Sequence, residues 1–264
     1  MKLYQNGDFD SIAAERRYYE CESDYDTWLE WYKKCEYYRY QSARATIDCC
    51  IFTYDKNEPV AKKALKILLL KRPIHPYRGE WGLPGAFIYP SDLTAEDSVR
   101  RMMRDKLGFT DATLPLEQLG SFTARDRDPR ARVIAINYAV YLSDAINLPN
   151  VIDKPDIKWV AIEDALSMKL AFDSNLQLAA AMDHVCGQFG WRPLVMYTLP
   201  IKFTIDDALR LRCGVFGEDL LTGKSRENFK QKFKHIFSEV GVIDADNPRS
   251  PKVYTLKDDV TLYR

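Results

Sequence analysis

The chain of 264 residues lacks three features that would assign it directly to a common class of protein. It has no excess charge, because 38 Lys and Arg balance 38 Asp and Glu, so any contact with nucleic acid must come from a local patch. Its six cysteines, at positions 21, 35, 49, 50, 186 and 213, match no zinc-ligand spacing. Its longest apolar runs, such as the one around residues 68–70, are too short to cross a bilayer.

These absences narrow the setting in which the chain works. No signal-peptide pattern precedes the cysteines, so they are expected to be reduced thiols. We therefore expect a cytoplasmic protein with no membrane partner. The length allows a core of full size and a second domain.

The most informative stretch runs from residue 81 to residue 109 and contains one well-defined helix. Thr94 is a good N-cap, and Asp97 completes a capping-box spacing with it. Gly108 supplies a left-handed end. Within these limits Val99, Met103 and Leu107 recur at four-residue steps and predict a core-facing stripe.

The neighbouring face of this helix resembles the Nudix box. That pattern is Gly, five residues, Glu, seven residues, then Arg-Glu-aliphatic-any-Glu-Glu-any-Gly. Arg101 and Gly108 match it, whereas Met102, Asp105 and Lys106 stand in place of three glutamates. Its first half departs as well: Ala86 replaces the glycine, Asp92 stands near the first glutamate, and one extra residue separates it from Arg101.

The substitutions remove the chemistry that the resemblance would imply. In Nudix enzymes these carboxylates converge on divalent cations that bridge a diphosphate, and one Asp cannot supply such a site. The ammonium of Lys106 would repel a metal ion there. We therefore expect no metal, no cofactor and no pyrophosphohydrolase activity. Lys106 is either a solvated lysine or a fixed cation that contacts a ligand phosphate directly.

Two loops carry further candidates for ligand binding. The segment before the helix, KRPIHPYRGEWGLPG, combines prolines, glycines, cations and a flat ring, and the segment TARDRDPRAR resembles a loop that borders the pocket in the ADP-ribose branch of the family. The second loop could equally be a solvated hairpin with self-neutralising charges. The predicted ligand residues are Arg72, Arg78, Trp81, Arg104, Lys106, Arg127 and Arg130.

The fold is predicted from these elements and the resemblance together. Strands are expected at 45–54, 65–70, 116–122, 132–142 and 158–160, with a helix at 173–187. The class is α+β: a Nudix-like α/β/α sandwich with a mixed sheet, followed by a C-terminal winged helix-turn-helix domain. The expected boundaries are 1–42 for an N-terminal helical arm, 43–172 for the sensing domain, 173–192 for a connecting helix and 193–264 for the last domain.

The N-terminal arm is rich in aromatic residues. Asp26 is a plausible N-cap for a helix in which Trp28, Trp31 and Tyr32 form a wide stripe. Such rings could stack on bases, but packing against protein is the favoured interpretation.

The last seventy residues predict two helices and a two-stranded wing. Thr204 caps the first helix, and Ser225 caps a second that is predicted to extend to Gly241 with Phe229 and Phe233 in its buried stripe. A strand follows at KVYTL. The second helix has a basic side, which a winged helix would place in the major groove. The predicted DNA-binding residues are Lys224, Arg226, Asn228, Lys230, Lys232, Lys234, Arg249 and Lys252.

The segment GKSRENFKQKF, together with the altered box, resembles the NrtR family of Nudix-related transcriptional regulators. The resemblance implies a homodimer that binds double-stranded operator DNA, usually as a repressor of NAD biosynthesis or salvage genes, and responds to ADP-ribose or a related nucleotide. Two alternatives stay open: a Nudix hydrolase that uses Asp92 or Glu96 as a displaced base, and a Nudix-like regulator that responds to a sugar.

Overall fold

The computed structural model describes residues 9–34, 43–110, 114–143, 154–218, 223–244, 246–247 and 250–257. The described residues fall into two compact units that divide after Ala43.

The first unit contains two helices, α1 (Ile12–Cys21) and α2 (Tyr25–Lys34). The prediction that Asp26 caps the second helix is wrong: α2 begins at Tyr25, and Asp24 accepts a hydrogen bond from the amide of Thr27 at 3.0 Å. Trp31 is buried, stacks on Tyr19 with ring centroids 4.8 Å apart, and donates its indole N–H to Glu15 at 3.0 Å. These aromatic residues pack the two helices on each other.

The second unit is built on a seven-stranded mixed sheet. Its central strand β1 is parallel to β6 and antiparallel to β2 and β4, while β3 and β7 pair with β2, and β5 pairs with β6. The strands are β1 (Arg44–Tyr54), β2 (Leu65–Lys71), β3 (Trp81–Gly82), β4 (Gly85–Phe87), β5 (Leu116–Phe122), β6 (Val133–Leu142) and β7 (Ile157–Ala161).

Alternation along the central strands produces a core on each side of this sheet. Ile47, Cys49 and Ile51 of β1 contribute to the core under α3 (Ala95–Leu107). Cys50 and Phe52, which point the other way, contribute to the core under the C-terminal helices. Helices thus cover both faces, and the predicted α/β/α sandwich with a mixed sheet is confirmed.

The remaining elements lie on the second face. They are α4 (Ile162–Ser167), α5 (Ser174–Gln188), a 3-10 helix at Leu194–Thr198, β8 (Phe203–Thr204), α6 (Ile205–Phe216), α7 (Gly223–Phe233), β9 (Phe237–Val242) and β10 (Lys252–Leu256). A short 3-10 helix at Ala61–Lys63 precedes β2. Strands β8, β10 and β9 form a separate small sheet in that order. Thr204 caps α6 through the predicted side chain, with Asp207 completing a capping box.

The prediction that the last helix continues to Gly241 is wrong. Helix α7 ends at Phe233, and Phe237 begins strand β9, which pairs with β10. Phe233, Ile236 and Phe237 are buried, as a continuous helix would also require. Their spacing therefore did not distinguish one long helix from a helix that is followed by a turn and a strand. Pairing with a strand more than ten residues later decided the outcome.

Residues on either side of the predicted boundaries at 172 and 192 contribute to the same hydrophobic core. One hydrophobic core contains Phe52 and Leu65 from the large sheet, Leu178 from α5, and Leu209 and Phe233 from the last helices. The described part of the chain has no helix that is both long and apolar enough to cross a membrane.

Candidate functional site

A cavity of about 620 Å³ opens beside the helix that carries the altered box. Strand β1 contributes Thr46 and Asp48 to its wall, and α3 contributes Met102 and Lys106. The loop between β5 and β6 contributes Arg127, Asp128 and Arg130, and the segment before α5 contributes Ala171 and Phe172. Arg72, from the predicted loop that precedes the box helix, also lines the cavity. The two loops predicted from sequence therefore meet the box helix at one place.

The three positions that carry glutamates in the Nudix box do not fit a divalent cation here. Met102 is buried in the core under α3, and the carboxylate of Asp105 accepts a hydrogen bond from Arg104 at 3.1 Å. The ammonium of Lys106 donates to the carbonyl oxygen of Gly85 and so occupies the wall with a positive charge. In the described residues, no three His, Cys, Asp or Glu side chains are grouped so that they could hold a metal ion.

Asp92, one candidate for a displaced base, is engaged in holding the start of α3. Its carboxylate accepts hydrogen bonds from Ser98 Oγ at 2.7 Å, from the amide of Tyr89 at 2.8 Å and from two nitrogens of Arg101 at 2.9 Å. These donors, Arg101 first, lower the pKa of Asp92 far below its usual value.

Glu96, the other candidate, accepts a hydrogen bond from the hydroxyl of Tyr138 at 3.0 Å. Its position in the first turn of α3 also places negative charge near the helix N-terminus, where it is stabilising. Both candidate bases therefore have structural partners.

Arg127 is the best-buried cation of the site. Its guanidinium donates to both carboxylate oxygens of Asp173, at 2.7 and 2.8 Å, and to Asp48 at 2.9 Å. Gln177 of α5 also donates to both carboxylates, at 2.8 Å each. Burial raises the pKa of Asp48, and Gln177 and Arg127 partly offset that effect. Two carboxylates thus compensate Arg127, which joins β1 to the start of α5.

Arg130 is compensated too, and it belongs to an aromatic part of the wall. It makes a two-point contact with Asp128, with oxygens at 2.7 and 3.0 Å. Its guanidinium lies 5.3 Å from the ring centroid of Phe87 and 5.7 Å from that of Phe172. Guanidinium groups stack favourably on aromatic rings at such distances.

Arg72 and Lys106 differ from the other cations discussed, because the described residues place no carboxylate within ion-pair distance of either one. Arg72 donates to the carbonyl oxygen of Pro76 at 2.6 Å, and its guanidinium lies 4.6 Å from the ring centroid of Phe172. Desolvation and then Arg130 lower the pKa of Arg72. Desolvation and then Arg72 lower the pKa of Lys106.

Four of the seven predicted ligand residues line the cavity: Arg72, Lys106, Arg127 and Arg130. Arg78, Trp81 and Arg104 are not brought to its wall. Arg78 is exposed, Trp81 lies under the ammonium of Lys158 at 4.1 Å, and Arg104 pairs with Asp105. Sequence reasoning missed Phe87, Phe172 and Asp173, since no spacing marks them as neighbours of the arginine loop.

A second candidate surface is the basic side of α7. Phe229 and Phe233 are buried, while Asn228 and Lys232 are exposed. Arg226 is exposed and forms an ion pair with Asp206 of α6. Lys230 is half-buried on α7. The buried aromatic residues therefore fix the helix with polar side chains outward.

Two of the other predicted DNA-binding residues do not lie on this helix. Lys234 belongs to the turn after α7, and Lys252 of β10 pairs with Glu239 of β9 at 2.6 Å. Arg249 lies outside the described residues, as does the side chain of Lys224.

Comparison with known proteins places these features in a family. A model of the NUDIX domain matches residues 45–180. The chain is 26% identical to the ADPR responsive transcriptional repressor NtrR of Acinetobacter baylyi over 223 residues, which are 84% of this chain and 82% of that protein. It is 37% identical to the ADP-ribose pyrophosphatase of Methanocaldococcus jannaschii over 87 residues, which are 33% of this chain and 48% of that enzyme.

Solved structures extend the similarity beyond the matched domain. A MutT/nudix family protein from Enterococcus faecalis superimposes with a TM-score of 0.76 and 28% identity, covering 94% of this chain and 100% of that one. NrtR of Shewanella oneidensis in complex with a 27mer DNA superimposes with a TM-score of 0.68 and 26% identity, covering 81% of this chain and 93% of that one. Because the family match spans more than half of its residues, the chain belongs to the Nudix family, and within that family it resembles the NrtR regulators.

Proposed function

We propose that the protein is a transcriptional regulator that binds double-stranded DNA as a homodimer and senses ADP-ribose or a related nucleotide in the cavity. In this proposal it represses NAD biosynthesis or salvage genes, and its Nudix domain has no hydrolase activity. The observation that carries the proposal is that the box helix presents Lys106 where a Nudix enzyme needs a metal ligand, in a chain that continues into an exposed basic helix. The Acinetobacter and Shewanella relatives support the same assignment.

The C-terminal elements support a winged-helix arrangement. Helix α6 precedes α7, strands β9 and β10 form a hairpin that would be the wing, and β8 pairs with the inner strand of that hairpin. In a winged helix the second of these helices enters the major groove. Arg226 and Asn228 would meet base edges, and Lys230 and Lys232 would meet phosphates.

The effector would act by changing the dimer. Two recognition helices must lie roughly 34–36 Å apart to enter successive major grooves. A nucleotide that binds more tightly to a dimer with another spacing would lower operator affinity. We propose this direction for the response to ADP-ribose.

The proposal is tested by selecting bound duplexes from a random DNA pool and measuring two variants on the selected site. Arg226→Ala is expected to reduce specific affinity by about 1 to 3 kcal/mol, because it removes a contact to a base. Lys230→Ala is expected to weaken binding to all sequences and to lower the salt slope by about one unit per protomer.

Arg100→Ala is the matched control, because Arg100 lies on α3, which covers the face of the sheet opposite the core that contains α6 and α7. It should bind as the wild type does. Equal binding by the wild type and all three variants would contradict the assignment of α7 as the DNA-binding surface.

A hydrolase remains the second candidate, because the chain shares a 37% identical segment with an ADP-ribose pyrophosphatase. The engaged carboxylates of Asp92 and Glu96 weigh against it, since a general base must be free to take a proton from water.

A further inference from the structure

Among the cations that line the cavity, Lys106 and Arg72 have no carboxylate within ion-pair distance in the described residues, and only the more distant charge of Asp48 acts on both. This arrangement indicates what the ligand must carry. Lys106 and Arg72 both line the cavity, together with the aromatic ring of Phe172. Desolvation reduces the stability of a cation unless an anion or strong acceptors replace the lost water, and this applies to the half-buried Arg72. Lys106 keeps part of its side chain exposed at the cavity wall, where a ligand can reach it. Arg127 and Arg130 have such anions in Asp173 and Asp128, but Lys106 and Arg72 have backbone carbonyl oxygens.

The wall beside these cations is fixed by unusual backbone. Phe172 and Tyr77 both have positive φ angles, 55° and 61°, and their rings contact each other with centroids 4.7 Å apart. Bulky side chains rarely adopt this region, and such conformations concentrate at ligand sites. The guanidinium of Arg72 stacks on the Phe172 ring of this pair. The two residues with positive φ angles therefore hold that guanidinium at the cavity.

From this arrangement we infer that Lys106 and Arg72 bind the two phosphates of a diphosphate ligand directly, in place of the divalent cation that Nudix enzymes use. This rests on the proposed function and deepens it, because it assigns the charge-compensating groups of the same cavity. A diphosphate carries at least two negative charges, one for Lys106 and one for Arg72. An uncharged sugar would supply neither cation with an anion.

The role of Arg127 in this site is different. Its two carboxylate partners already satisfy its charge, so it positions the loop and does not contribute net charge to the ligand. Arg130 is likewise held by Asp128. Of the four predicted cations that line the cavity, two are therefore assigned as anion ligands and two as supports.

The inference is tested by isothermal titration of the full chain with ADP-ribose and with inorganic pyrophosphate, each in excess EDTA and in excess Mg²⁺. The wild type is expected to bind ADP-ribose in EDTA with the same affinity, within about twofold, as in Mg²⁺. Lys106→Met keeps the length of the side chain but removes its charge, and it should lower the affinity by about tenfold to a hundredfold, as should Arg72→Met.

Arg100→Met is the matched control. Arg100 lies on the same helix, outside the cavity wall, and contacts Asp97 only at 3.9 Å. It should leave the affinity unchanged. Far-UV circular dichroism and thermal unfolding of each variant show whether a loss of affinity reflects unfolding; if Lys106→Met and Arg72→Met both unfold, Lys106→Gln and Arg72→Gln replace them.

Three results would overturn the inference: binding that requires Mg²⁺, folded variants that bind as the wild type does, or no binding of either compound in EDTA. The DNA selection separates these failures from those of the proposed function. Selection of a defined duplex with Mg²⁺-dependent ligand binding would remove only the inference. Metal-free ligand binding with no selected duplex would remove only the regulator.

Discussion

The single residue Asp92 links the segment after β4 to the first turns of α3. It accepts hydrogen bonds from Arg101, Ser98 and the amide of Tyr89, and Arg101 also donates to the carbonyl oxygen of Phe87 at 2.8 Å. The guanidinium of Arg101 lies 4.0 Å from the ring centroid of Tyr89. The arginine of the box thus has a structural role that does not depend on catalysis.

Asp92→Asn is expected to destabilise the protein at neutral pH. The folded state lowers the pKa of Asp92 below its ordinary value of 3.8, so its ion pair contributes stability above that value. The contribution is lost as the pH falls from about 4 towards the lower folded pKa. Urea unfolding of both proteins at pH 7 and near pH 3 measures this, and the difference between them should shrink at the lower pH. A difference that stays constant or grows on acidification would contradict the role of this carboxylate.

Hydrolysis of ADP-ribose by a Nudix enzyme depends on the metal ligands of the box helix. We expect no turnover of ADP-ribose with Mg²⁺ or Mn²⁺, because Met102 and Lys106 cannot ligate a metal and Asp105 alone cannot hold one. Chromatographic detection of released AMP checks this. If the wild type turned over ADP-ribose at a rate typical of enzymes and Glu96→Gln abolished that activity, the protein would be a hydrolase instead.

Residue roles were predictable where they depend on local spacing. The capping box of Thr94 and Asp97 and the left-handed Gly108 are confirmed, because both signals lie within one helix. The compensation of Arg127 was not predictable, since its partners Asp48 and Asp173 are 79 and 46 residues away in the chain. Only the fold brings these three residues together.

Among the contacts between elements, the packing of α6 on β2 depends on a glycine. A Cβ atom on Gly214 would lie 2.7 Å from the backbone nitrogen of Leu65 and 2.8 Å from its Cβ. Gly187, which is also in a helix, has no such neighbour within 4 Å. The two glycines form a matched pair for testing how α6 packs on the sheet.

Gly214→Ala is expected to destabilise the protein by about 1–3 kcal/mol, because the added methyl group forces the helix away from the strand. Gly187→Ala is expected to be neutral or to stabilise by about 0.5–1 kcal/mol, since alanine favours the helical backbone. Chemical denaturation measures both. Equal effects of the two substitutions would show that the close packing of α6 on β2 is wrong.

Elements with a clear local period were predicted well, and one without it was not. Strand β5 is found at Leu116–Phe122 as predicted, and α5 begins and ends within one residue of the predicted bounds. The region after Phe233 has apolar residues that suit a helix and a strand equally. Its strand depends on pairing between Phe237 and Leu256, which no local pattern specifies.

At the scale of the whole molecule, the cavity and the C-terminal helices share one continuous part of the protein. Asp173, which holds Arg127 at the cavity, is the N-cap residue of α5, and α5 contributes Leu178 and Val185 to the core that also contains α6 and α7. Tyr54 of β1 donates to Asp207 at the start of α6 at 3.1 Å. A ligand that shifts the loop around Arg127 therefore acts on elements that pack directly against the basic helix.

Fluorescence anisotropy measures whether a nucleotide in this cavity controls DNA binding, as we propose. The full chain is titrated onto the duplex selected from the random pool, without ligand and with saturating ADP-ribose in EDTA. ADP-ribose is expected to raise the Kd for the duplex by about 5- to 150-fold, the usual range of coupling between two sites. An unchanged Kd at saturating ADP-ribose, with binding of the nucleotide verified in the same sample, would contradict it.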